Sequence, residues 1–196
     1  MKIMQTAIPQ KTMYSYEEYV AIEQETKEKH DFFFGEIFNM AGTTGTHNLL
    51  VLSLSRSLSD IIEAKGRKCY IFVENVKLEL IRNQYYVYPD LMLVCDERDK
   101  PTQTKMHYPS IIFEVLSDST EDYDRNTKWK HYKAIATLKY YVLVSQNEYL
   151  IEVYEKINDF TWQYTIYEGL EKEISFDKLD FTLGMAQIYK NIDIAI

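Results

Sequence analysis

Two cysteines, four prolines and six glycines are all that this 196-residue chain holds of the residues that staple, kink or loosen a backbone. So little cysteine excludes a disulfide-built mini-protein. Cys69 and Cys95 each lie in an apolar, strand-like run, so buried free thiols in a reducing cytoplasm are expected. The sparse glycine and proline leave no flexible linker, repeat or low-complexity tract, which predicts a single domain over residues 1–196 with a substantial core. No segment approaches the roughly 18 uninterrupted apolar residues of a membrane span. The opening MKIMQTAIPQKTMYSYEEY has no apolar leader, so a cytoplasmic chain with no membrane partner is expected. Positive charge is also short: 22 Lys and Arg stand against 30 Asp and Glu, a net of −8. Indiscriminate coating of nucleic acid is thereby excluded, and a polyanion would have to meet a local basic patch. Serine-hydrolase, Walker and dinucleotide fingerprints are absent, and no paired Cys and His spacing suggests zinc.

What the chain does have is aromatic weight, with 17 Tyr and 9 Phe, a composition that favours strands. Ser15 with Glu18 has the form of a capping box opening a helix that runs toward His30. Gly35 sits between two apolar arms in DFFFGEIFNMAG, which predicts a tight strand-turn-strand before the loop AGTTG. Thr46 can cap a second helix ending at Lys65-Gly66-Arg67. The runs CYIFV, VKLELI and YYVYPDLMLVC then read as a three-strand meander, followed by a surface loop over residues 96–110. After the strand IIFEVLS comes a helix over EDYDRNTKWKHYKAIA, then strands at LKYYVLVS, YLIEVYEK and FTWQYTIYE and a short closing helix. Helices alternating with strands in this way predict an α/β (α+β) fold with a mixed central sheet flanked by helices.

Chemistry is suggested by an acid in the wrong place. In IIFEVLS the alternation of a strand puts Glu114 on the same face as Ile112 and Leu116, where a carboxylate is costly unless a cation, hydrogen bonds or protonation compensates it. Pro89 belongs at a strand start, which leaves Asp90 projecting at a similar boundary. Two strand-borne carboxylates on neighbouring strands make a hard-cation site for magnesium or manganese. Asp124, Lys128 and Tyr132 follow at i, i+4 steps along one helical face, so the Lys128 ammonium can reach over the sheet end. Residues 125–139 carry five Lys or Arg and no acid, a local reversal of charge suited to a phosphate backbone.

Taken together, YPDLMLV, PSIIFEVLSDST, DRNTKWKHY and LKYYVLVS resemble the PD-(D/E)XK nuclease superfamily, and within it a bacterial restriction endonuclease family of the Uma type. HDFFFGEIFNM followed by THNLLVLSL resembles the amino-terminal half of that family, with Gly35, Glu36 and His47 matching its Gly-Glu turn and following His. The resemblance covers most of the chain. It implies a restriction-endonuclease-like fold and magnesium- or manganese-dependent cleavage of DNA. The implied site uses Asp90 and Glu114 as metal ligands, a lysine, and Glu36 and His47 as helpers. The superfamily's lysine usually follows the second acid by two residues, a position held here by Leu116; the resembled family carries it on the next helix, at the counterpart of Lys128.

Structural readings of the same residues stand beside these. Glu114 can end the buried part of its strand and pair with a lysine, Asp124 and Lys128 can form a surface ion pair, and His47 can serve as a capping or packing residue. A catalytically inactive member of the fold, binding nucleic acid or protein, is the alternative function. A homodimer joined through aromatic sheet edges such as YYVY and YTIY is the third.

Overall fold

Ser15 opens the first helix for a local reason: its hydroxyl accepts from the Glu18 amide while the Glu18 carboxylate accepts from the Ser15 amide. The computed structural model describes residues 12–40 and 43–194, so residues 1–11 of the opening segment and 41–42 of the AGTTG loop lie outside the described residues. Helix α1 (Tyr16–Thr26) leads into the hairpin β1 (His30–Phe33) and β2 (Glu36–Asn39), turned by Phe34 and Gly35, both at positive φ. Helix α2 (Gly45–Ala64) is capped by Thr44 and not by Thr46: the Thr44 hydroxyl accepts from the His47 amide at 3.1 Å, so the helix starts before Thr46 is reached.

The remaining strands are β3 (Tyr70–Val73), β4 (Lys77–Ile81), β5 (Tyr85–Val87), β6 (Leu91–Val94), β7 (Lys105–Met106), β8 (Ile111–Leu116), β9 (Tyr140–Ser145), β10 (Leu150–Lys156), β11 (Trp162–Glu168), β12 (Glu173–Phe176) and β13 (Phe181–Gly184). They form a five-stranded sheet ordered β2-β1-β5-β4-β7, a six-stranded sheet ordered β11-β10-β9-β8-β6-β3, and the β12–β13 pair. Both large sheets are mixed, with parallel pairing between β4 and β7 and between β8 and β9. The α+β architecture with mixed sheets and flanking helices is the one expected.

The meander is not. YYVYPDLMLVC is two strands in two sheets, because Pro89 has no amide hydrogen to continue a ladder and the chain crosses there from β5 to β6. VKLELI pairs with the first half as β4, and CYIFV pairs with the second as β3.

That crossing also corrects the reading of the cysteines. Tyr70 pairs with Val94, so Cys69 and Cys95 face each other one step further out, with Cα atoms 4.1 Å apart, and are joined as a disulfide. Their separation of 26 residues hid an opposition that only the antiparallel register creates.

One core lies between α2, the closing helix α4 (Met185–Ile188) and one face of the six-stranded sheet, drawing on Leu50, Leu54, Phe113 and Val142. The other face carries Met92, Ile112, Tyr141 and Leu143 and packs against Leu78 and Val87 of the five-stranded sheet and against Tyr132. Tyr132 ends α3 (Trp129–Tyr132), which continues a π-helical turn over Tyr123–Lys128. Trp129 pins this segment to the sheet, stacked on Tyr141 at 5.8 Å and edge-on to Trp162 at 5.0 Å. Among the described residues no helix is long and apolar enough to cross a membrane.

Candidate active site

Where the chain crosses between sheets, backbone amides lose their ladder partners, and buried or half-buried carboxylates take their place. The Tyr88 amide donates to Asp31 Oδ1 at 3.0 Å, and the Asp90 amide donates to Glu114 Oε2 at 3.2 Å. In return the Val115 amide donates to Asp90 Oδ2 at 2.6 Å. Asp90 and Glu114 stand opposite each other, one step beyond the Leu91–Phe113 pair, so each carboxylate caps the strand that carries the other.

Glu114 is 1% exposed and its charge is met from the helical side. Its Oε1 accepts from Lys128 Nζ and from the Tyr132 hydroxyl, both at 2.9 Å. Lys128 Nζ also lies 2.8 Å from Asp124 Oδ1. The Asp124–Lys128–Tyr132 face therefore points at Glu114, as its spacing predicts, but as a buried group and not as a surface ion pair. A π-helical turn bears the first two of these residues, a geometry common at functional sites. The Tyr141 hydroxyl holds the turn by donating to the Asp124 carbonyl at 3.0 Å.

Asp31, Asp90, Glu114, Asp124 and Lys128 line a cavity of about 390 Å³. His47, in the first turn of α2, brings Nε2 to 3.4 Å from Asp90 Oδ1 and 3.9 Å from Glu74 Oε1. Glu74 takes a positive φ of 46° directly after β3, with its amide on the Asp90 carbonyl at 3.0 Å. Thr43, Thr44, Ser117, Ser119 and Thr120 add hydroxyls to the lining. Gln146 ties the two sides together, its Nε2 donating to the Leu116 carbonyl at 2.7 Å and its Oε1 accepting from Thr44 at 2.6 Å.

The electrostatics are dominated by acid. Asp31, Glu74, Asp90, Glu114 and Asp124 share the cavity with Lys128 and His47. Burial pushes Glu114 well above the ordinary carboxylate range against the pull of Lys128, and the charges of Asp124 and Asp90 add to the rise. Burial also raises Asp31 to about 6, again against Lys128. For Lys128 burial opposes charge, yet Asp124, Glu114, Asp31 and Asp90 outweigh it and hold the ammonium well above the usual lysine range. Burial opposes protonation of His47 as well, but its hydrogen bond to Asp90 and the charges of Asp90 and Glu74 lift it above the usual imidazole value.

Such an excess of carboxylates suits a hard divalent cation. Among the described residues no three or more His, Cys, Asp or Glu side chains are arranged to enclose an ion by themselves. Magnesium does not need that, since it keeps several waters and is held through one or two carboxylates. Asp90 and Glu114, opposed across the opened ladder, fit this requirement.

Four of the five site residues expected from sequence thus come together: Asp90, Glu114, Lys128 and His47. Glu36 does not join them. It is exposed at the start of β2, where it pairs with Phe33, and does not line the cavity. Asp31, on the partner strand β1, enters in its place, because the hairpin turns that strand's acid toward Tyr88 and Lys128. Its signal was legible in HDFFF, an acid among aromatic strand residues like the one in IIFEVLS. Glu74 left no such signal, since only the turn after β3 aims it at His47. The basic run 125–139 is also divided. Arg125 is held by Glu121 and Glu152 at 2.7 and 2.5 Å, Lys128 is buried and Lys139 is half-buried, which leaves Lys130 and Lys133 exposed.

This fold, with mixed sheets crossing at the Asp90–Glu114 carboxylate pair beside a lysine, is shared with known proteins. Residues 16–186 match the Uma2 family, described as "Putative restriction endonuclease". The chain belongs to that family. Two relatives from Synechocystis sp. are the uncharacterized proteins sll1609 and slr1290. The first is 37% identical over 161 residues, covering 81% of this chain and 90% of the relative. The second is 31% identical over 178 residues, covering 91% and 92%. A crystal structure of "a putative nuclease belonging to DUF820" from Anabaena variabilis superposes with a TM-score of 0.71 at 12% identity, covering 89% of this chain and 97% of that one, which shows a shared fold.

Proposed function

We propose that this chain is a metal-dependent endonuclease that hydrolyses phosphodiester bonds in DNA, with Asp90 and Glu114 holding magnesium or manganese. The observation that carries the reading is the opposition of these two carboxylates at the sheet crossing, with Lys128 Nζ 2.9 Å from Glu114. A bound divalent cation would offset charge developing on the phosphoryl group and acidify a bound water. Lys128, kept cationic by the acids around it, can neutralise the attacked phosphate. Asp124 and Tyr132 fix the geometry of the Lys128–Glu114 pair. His47, hydrogen-bonded to Asp90, can hold or pass a proton at the cavity edge. The hydroxyls of Thr43, Thr44, Ser117, Ser119 and Thr120 offer neutral donors to phosphate oxygens, which a chain of net charge −8 can present without a broad basic face.

Calorimetric titration of magnesium and manganese, run beside cleavage of supercoiled plasmid and single-stranded DNA, tests the proposal. Binding is expected to vanish in Asp90→Asn and Glu114→Gln, and cleavage to vanish in both and in Lys128→Met. Unchanged metal binding by Glu114→Gln overturns the metal assignment. A second reading, a non-catalytic binding module, is favoured by the engagement of Lys128 with both Glu114 and Asp124, which leaves Glu114 Oε1 fully occupied. DNA binding without cleavage in any metal, retained in Asp90→Asn, would select it.

A further inference from the structure

The longest sheet edge is β11, whose seven residues pair with β10 on one side only; the other edges of the two large sheets, β2, β3 and β7, have four, four and two. Among the described residues no backbone hydrogen bond reaches its outer side. Proteins blunt such edges with lysine, proline or a bulge. The sequence WQYTIYE has no lysine or proline, and its register with β10 runs unbroken from Leu150–Glu168 to Lys156–Trp162. Tyr164 is 47% exposed and Ile166 is 52% exposed on one face, and Phe160 in the preceding turn is 97% exposed.

We infer that β11 pairs antiparallel with β11 of a second copy about a twofold axis at Thr165, joining two six-stranded sheets into one. The sequence is self-complementary in that register. Tyr164 falls opposite the partner's Ile166 and Ile166 opposite the partner's Tyr164, an aromatic and β-branched pairing repeated by symmetry. Continuing the register sets Phe160 level with the partner's Leu170, itself 40% exposed here, which accounts for the most exposed large apolar side chain among the described residues. Charge selects the same surface. Two copies of net charge −8 repel, but residues 163–167 are uncharged and Glu168 meets the partner's Trp162. Seven paired residues and a few apolar contacts make a modest interface, so association depends on concentration.

The test reads mass and cross-linking, so it stands apart from whether the chain cleaves DNA. Sedimentation velocity of the full chain across a concentration series is expected to show a shift from monomer to dimer, lost in Ile166→Lys, an exposed position where lysine is tolerated. Under mild oxidation Thr165→Cys is expected to give a covalent dimer on a non-reducing gel, whereas Gln163→Cys, whose counterpart across the axis is Tyr167, does not. A chain that stays monomeric at every concentration leaves this edge to a strand of another protein or to none, and overturns the inference. A dimer that survives Ile166→Lys and yields no Thr165→Cys cross-link uses another surface and overturns it equally.

Discussion

Replacing Asp31 with Asn should stabilise the metal-free protein at pH 8 and leave it unchanged in acid. Asp31 is 7% exposed, and burial lifts its carboxyl from an ordinary 3.8 to about 6. An acid raised in the folded state favours folding while protonated. Its contribution is complete below 3.8 and is lost as pH rises through about 6, because the ionised form is then buried at a cost. A rise of about 2.2 pH units at about 1.36 kcal/mol each gives roughly 3 kcal/mol carried against the fold at pH 8. Asn removes the charge and keeps an oxygen for the Tyr88 amide, now 3.0 Å from Oδ1. Urea unfolding with chelator present, at intervals from pH 3.5 to 8, measures the difference. With a urea slope of about 2 kcal/mol/M, the midpoint of Asp31→Asn should exceed that of the wild type by about 1.5 M at pH 8 and converge with it near pH 3.5. A variant less stable at pH 8, or a gain that does not shrink across this window, refutes the reasoning. The same cost supports the proposal that a cation binds in the cavity, where Asp31, Glu74, Asp90, Glu114 and Asp124 outnumber Lys128 and His47.

Lys128→Met should cost about 3–5 kcal/mol at neutral pH by the same unfolding assay, since it leaves Glu114 and Asp124 buried without their ammonium. Adding Glu114→Gln should recover part of that loss, and a single variant as stable as the wild type would remove the charge argument. Glu36→Ala should retain metal affinity and cleavage, because Glu36 is exposed and outside the cavity; loss of metal binding in calorimetry would return it to the site. Thiol titration of unfolded, unreduced protein should find no free cysteine, and replacing Cys69 and Cys95 by Ser should cost about 3.5 kcal/mol, as the loop-entropy relation gives for a separation of 26. Two titratable thiols would restore the reduced pair expected from composition.

Local signals carried far because they obey local physics. The capping box at Ser15, the positive-φ turn at Gly35 and the stop at Lys65-Gly66 are each settled within a few residues, and each forms as the sequence predicts. Glu114 announced itself because a strand's alternation assigns a face to every residue, and Lys128 because helical spacing carried it toward that face. Thr44 displaced Thr46 within the same short stretch, where two similar hydroxyls compete and the start of the helix chooses between them.

By itself the sequence determined α1, α2, the β1–β2 hairpin and the strands β8 to β11, that Glu114 lies in an apolar strand, and which face of the following helical segment points at it, because these depend on periods of two and about 3.6 residues along one segment. Only the tertiary structure decided that Tyr88-Pro89-Asp90 crosses between two sheets, that Cys69 meets Cys95, and that Asp31 and Glu74 reach the cavity while Glu36 does not. Each of those facts depends on the pairing and register of strands distant in the chain. Shifting a strand by one residue reverses the face of every side chain on it, so no local pattern can record them.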